Sequence, residues 1–133
     1  MRVVLLLALT CLVAACVPPE LVFPSPDGRH TATVRNHFSI DPPRQSLWVD
    51  GTKIVTLGED MDWCDTVAWS RDGSTVAFLV QNAKVITVDV AARRTTGERW
   101  LVAHDGYPTS EMVCNLALSD DGQDLTFTTK PRR

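Results

Sequence analysis

Two apolar patterns run along the chain, one continuous and one interrupted. The continuous one spans Val3 to Val13, eleven residues broken only by Thr10 and Cys11, behind a positive charge at Arg2. That length suits the apolar segment of a secretory signal and falls short of the roughly 20 residues a helix needs to span a bilayer. The interrupted pattern fills the rest. Thr75 to Val80 is nearly apolar on both faces, which predicts a strand covered on both sides. Lys84 to Val90 alternates, with Ile86, Val88 and Val90 on one face. Ser46–Val49 and Lys53–Leu57 predict a hairpin around Asp50-Gly51, and Arg99 to Ala103 predicts a further short strand. Beyond the first apolar block no stretch sustains a 3.6-residue period, so little helix is expected.

The turns between these runs are of one kind. Five of the seven glycines follow an aspartate, at Asp27-Gly28, Asp50-Gly51, Asp72-Gly73, Asp105-Gly106 and Asp121-Gly122. Asp-Gly supplies the positive φ angles that tight turns demand, so these pairs punctuate strands. Three of them belong to a repeat: Ser25-Pro26-Asp27-Gly28, Ser70-Arg71-Asp72-Gly73 and Ser119-Asp120-Asp121-Gly122. The aspartates stand 45 and 49 residues apart, close to the roughly 40–50 residues of a propeller blade. After the second turn Val76 and Phe78 are apolar, and after the third Leu125 and Phe127 take those places. After the first, Thr31 and Thr33 hold them, and the apolar Ala32 and Val34 are shifted by one.

An apolar strand, Ser-x-Asp-Gly and a second apolar strand resemble the WD40-like repeat of the TolB family. The resemblance implies an all-β chain of antiparallel, four-stranded, blade-like units. Two full units and the opening two strands of a third fall short of the roughly four blades of a closed ring. The expected architecture is therefore a partial propeller or a β-sandwich. Strands of the third unit could fold back to complete the first, or further chains could cover the open edges; a compact monomer is the favoured reading.

The first apolar block ends in Val13-Ala14-Ala15-Cys16, which resembles the lipobox of bacterial lipoproteins. The resemblance implies cleavage before Cys16 and lipid attachment at that residue. A plain signal peptide cut after Ala15 is the alternative. Two or more acyl chains give stable anchoring where one is marginal. Val17-Pro18-Pro19-Glu20 then reads as a stiff spacer, and Val17 in place of Asp implies the outer membrane if the envelope is Gram-negative. The expected organisation is a signal peptide over 1–15, lipidated Cys16 and spacer over 16–20, a β-repeat domain over 21–130 and a solvated tail over 131–133.

Charge and composition exclude more than they suggest. A formal net charge of −3 lacks the basic footprint of a nucleic-acid binder. The three histidines, His30, His37 and His104, have no metal-ligand spacing, and there is no Gly-x-Ser-x-Gly elbow or phosphate-cradling loop. His104-Asp105 with Ser110 contains hydrolase residue types without evidence of triad geometry. The repeat aspartates Asp27, Asp72 and Asp121, with Gly28, Gly73 and Gly122, read as turn formers; neither they nor Glu59-Asp60-Met61-Asp62 have the ligand density of a calcium loop. Trp48, Trp63, Trp69 and Trp100 read as core residues, Trp63 the least clearly. No catalytic residue, metal or cofactor is expected.

With Cys11 removed and Cys16 acylated, Cys64 and Cys114 are the two cysteines left in a compartment that permits disulfides. They precede their repeat aspartates by eight and seven residues, so facing side chains would need a bulge. Buried free thiols are the alternative. The functional expectation is a tethered, non-enzymatic binding or structural module for an envelope protein. A small lipidated inhibitor of a hydrolase is the second reading and an enzyme the third.

Overall fold

The computed structural model describes residues 20–37, 44–57, 67–103 and 109–132. Among them there is no helix, and ten strands form three antiparallel sheets. Sheet A is a meander of β1 (Glu20–Pro24), β2 (Thr31–His37), β3 (Arg44–Val49) and β4 (Thr52–Leu57). Sheet B repeats that order with β5 (Val67–Trp69), β6 (Thr75–Val80), β7 (Lys84–Asp89) and β8 (Arg94–Trp100). Sheet C consists of β9 (Glu111–Leu118) paired with β10 (Leu125–Pro131).

The sheets pack face to face, with B in the middle. Ala32, Val34, Leu47 and Val49 of sheet A meet Val76, Phe78, Val80, Ile86 and Val88 of sheet B in one core. Ala77, Leu79 and Val85, from the opposite face of B, meet Val113 and Leu116 of sheet C in the other. This arrangement explains the one-residue shift in the first repeat. A two-faced middle strand must be apolar at every position, and β6 is buried at Val76 through Val80. An end sheet needs apolar residues on one face only, and the two ends need opposite faces. In sheet A the even positions Ala32 and Val34 enter the A–B core, while Thr33, itself buried, and Arg35 alternate onto the opposite face. In sheet C, Leu125 and Phe127 pack inward, and Thr126 and Thr128 are exposed. The shift is a change of covered face, with the turn register unchanged.

Several expectations need correction. The third unit does not fold back onto the first; β9 and β10 form their own sheet against sheet B. The strand expected at Arg99–Ala103 lies at Arg94–Trp100, starting five residues earlier. It is an outer strand exposed at six of its seven positions, so it carries no apolar alternation and is placed by its pairing with β7. The tail begins later than expected, because Lys130 and Pro131 pair with Met112 and Glu111.

None of the three described tryptophans is fully buried. Trp69 packs on the A–B core and donates its indole N–H to the Phe23 carbonyl at 3.0 Å. Trp48 lies on the outer face of sheet A under the Arg35 guanidinium, 4.0 Å from the ring centre. Trp100 sits 5.5 Å from the Lys84 ammonium, which also pairs with Glu98 at 2.6 Å. Trp63 lies outside the described residues.

Candidate functional site

The three repeat turns are built by the same bonds. Ser25, Ser70 and Ser119 each donate a hydroxyl to the aspartate two residues on, at 2.6, 2.7 and 2.8 Å. Each hydroxyl oxygen also accepts the backbone N–H five residues on, from His30, Thr75 and Asp124, at 3.1, 3.0 and 2.9 Å. The aspartates accept a further backbone N–H, from Arg29, Ser74 and Gln123. Gly28, Gly73 and Gly122 close the turns at φ of 72°, 73° and 76°, a region open to glycine without steric cost.

These bonds hold the turn carboxylates below their ordinary pKa of 3.8. At Asp27 the Ser25 hydroxyl does most, followed by the Arg29 N–H. At Asp72 the Ser74 hydroxyl leads, then its N–H and the Ser70 hydroxyl. At Asp121 the Gln123 N–H leads, then the Ser119 hydroxyl. The cause is hydrogen bonding to the charged form.

The turns also form a row. A Cβ at Gly73 would lie 3.6 Å from both Asp27 carboxylate oxygens, and one at Gly122 would lie 2.7 Å from Thr75 Cβ and 3.3 Å from Ser70 Cβ. Each turn therefore rests on the one before it. Asp72 N–H donates to the Asp120 carbonyl at 3.2 Å, tying the second turn to the third. Ser25 and Ser70, each covered by a following turn, are 4% and 0% exposed. Ser119 has no following turn among the described residues and is half-buried.

One contact was not anticipated from sequence. His30 Nδ1 lies 2.7 Å from Asp50 Oδ2, and Asp50 Oδ1 accepts the Thr31 N–H at 2.9 Å. Burial pushes the Asp50 pKa up, but the His30 and Thr31 hydrogen bonds outweigh it and the net shift is downward. The signal lay in the β2–β3 register: pairing Ala32 with Val49 brings residue 30 beside the Asp50-Gly51 turn. The pair fastens the first repeat turn to that hairpin. The hydroxyls of Ser25, Ser70, Ser74 and Ser119 all donate to turn aspartates.

A cleft of about 440 Å³ opens between sheets B and C. Thr75, Val85, Thr87, Asp89 and Arg99 line it from sheet B, and Leu118 and Leu125 from sheet C. Its polar side chains are three threonines, Thr75, Thr87 and Thr96, with Asp89, Arg99 and Gln123. Asp89 Oδ1 already accepts the Ala92 N–H at 2.8 Å, and among the described residues no histidine or cysteine lines the cleft. Among the described residues no group of three or more His, Cys, Asp or Glu side chains could hold a metal ion.

Cys16, Cys64, Glu59–Asp62, His104 and Asp105 lie outside the described residues. Ser110 is described and exposed, and its carbonyl accepts the Arg132 N–H at 2.9 Å. Cys114 lies on β9 opposite Thr128 and is disulfide-bonded; no other cysteine is among the described residues. A bulge at Asn115, where φ is 53°, shifts the β9–β10 register just beyond Cys114. No protein-family model matches the chain, and no curated protein matches it.

Proposed function

We propose that this protein is a lipid-anchored module of the cell envelope that binds a protein partner without catalysing a reaction. The observation that carries this reading is how the polar groups are used. The hydroxyls and carboxylates of the repeat turns are engaged in bonds within their own turns, and the open cleft beside them offers threonine hydroxyls, aliphatic surface and a strand edge. Such a surface suits contact with another chain.

The sheets are blade-like units of the TolB-like kind on this reading. Support comes from the identical bonding of the three Ser-x-Asp-Gly turns and from the equal strand order of sheets A and B. Anchoring through Cys16 rests on the Val13-Ala14-Ala15-Cys16 motif, and Val17 directs the protein to the outer membrane in a Gram-negative envelope. Pairing of Cys64 with Cys114 is supported by the disulfide-bonded state of Cys114 and by the β9 bulge that the unequal spacing requires.

Crosslinking in native membranes followed by affinity isolation tests the function. One envelope protein should be recovered in near-equal amount, and its yield should fall when the sheet B–C cleft is blocked. Isolation of the chain alone, with turnover of a substrate, would overturn the reading.

A further inference from the structure

Sheet B has four strands and sheet C two, so β7 and β8 extend past β10 and form a ledge. The cleft is the space above that ledge. Its upper wall is the outer edge of β10, which no strand pairs among the described residues. In the filled A–B interface the corresponding ledge consists of Leu47, Val49 and Val55, since Ala32–Val49, Val34–Leu47 and Leu47–Val55 pair as Ala77–Thr87, Leu79–Val85 and Val85–Arg99 do. The open ledge thus offers Val85, Thr87 and Arg99. It is more polar than its filled counterpart and carries one cation; Arg99 is exposed and makes no ion pair among the described residues.

We infer that the β10 edge is a strand-addition site. Its occupant is an extended strand or hairpin of a different protein, with aliphatic residues facing Val85 and Thr87 and a carboxylate facing Arg99. The inference deepens the binding-module reading and rests on it. Backbone groups along β10 supply the affinity, and the alternating ledge residues supply the selectivity. A second copy of this chain does not fit. Antiparallel pairing of two β10 strands places both sheets C in one continuous sheet, with both sheets B on the same face. The β7–β8 ledge of each copy would then occupy the space of the other's sheet B.

The chain contains a template for the missing strands. Segment 83–101 covers β7 and β8, and it presents Ile86 and Val88 with Glu98 cross-strand from Ile86. A synthetic peptide of that segment is the probe, added at millimolar concentration to the isotope-labelled full chain in detergent, with amide exchange followed by NMR. Alternate amides of Leu125–Pro131 should slow by about tenfold or more, and those of β1, β4 and β8 should not change. An Arg99→Glu chain should lose the effect, and a peptide carrying Glu98→Lys should restore it. Absence of β10 protection, equal protection at the other edges, or indifference to the charge exchange would each overturn the inference. So would light scattering that shows a dimer with β10 protected in the free protein. If the partner isolated from membranes leaves β10 exchange unchanged, the edge assignment falls while the binding-module reading stands.

Discussion

Replacing each turn serine by alanine separates the chemistry of the repeat from its burial. Ser25→Ala, Ser70→Ala and Ser119→Ala delete the same two bonds, one to an aspartate and one from a backbone N–H; Ser70→Ala also removes a longer hydroxyl contact to the Thr75 carbonyl at 3.1 Å. The aspartates face solvent, and water replaces the bond each loses. The backbone donors differ. Asp124 is exposed, so water also reaches its N–H. Thr75 N–H points at a serine that is 0% exposed and lies beneath Gly122, and His30 N–H points at one that is 4% exposed. A buried donor left without an acceptor costs about 1–3 kcal/mol, whereas a solvent-replaceable bond costs about 0.5–1 kcal/mol. Ser70→Ala should therefore be the most destabilising, Ser25→Ala close behind, and Ser119→Ala the mildest. Urea unfolding at neutral pH, with an unchanged denaturant slope, measures the three differences on one scale. Equal costs, or a larger cost at Ser119, would refute the claim that each turn is covered by the next.

Other consequences follow from the same geometry. The turn aspartates have folded pKa values below 3.8, so they bind fewer protons when folded than when unfolded at acid pH. Their contribution is present above about pH 4 and is lost as pH falls through the lowered values; replacing all three with Asn should flatten that part of the stability–pH curve. Gly28→Ala and Gly122→Ala share the cost of about 1–2 kcal/mol for a positive φ, but only the latter meets atoms within 4 Å, at Thr75 and Ser70. Overpacking should make it about 1–3 kcal/mol worse in the same unfolding assay. Intact mass of the unreduced chain should fall two hydrogens short of the reduced form, and Cys114→Ala should cost on the order of 4 kcal/mol for a loop of about 50 residues. Protein purified from membranes should begin at acylated Cys16 and become soluble or stay uncleaved as Cys16→Ser; an unmodified chain starting at Cys16 would contradict the anchor.

How far the sequence disclosed this structure depended on how many faces of each strand are covered. β6 and β7 were legible because sheet B is packed on both sides or by clean alternation. The Ser-x-Asp-Gly turns were legible because their bonds are local, made within five residues. β8 was not, since Arg94–Glu98 is exposed on both faces and only cross-strand pairing places it. The β6–β7 turn at Gln81-Asn82 was also missed, although both residues have positive φ; neither is glycine, and the contact Asn82 makes is long-range, its carbonyl accepting the Val113 N–H at 2.7 Å. Trp48 and Trp100 were misplaced because alternation says which residues share a face and cannot say which face is left uncovered, on the end sheet A or along the outer strand β8. The His30–Asp50 contact and the cleft join residues far apart in the chain, so they depend on strand register and sheet order.

A row of three sheets has a middle member covered on both faces at β5 and β6, and its β10 edge is unpaired among the described residues. Residue-level amide exchange on the isolated full chain tests it most directly. The slowest exchange is expected in Val76–Val80 and Ile86–Val88, with intermediate protection in β9 and fast exchange at every second amide of β10. Uniform strong protection along β10 in the free protein, or loss of protection throughout β9 and β10, would contradict it.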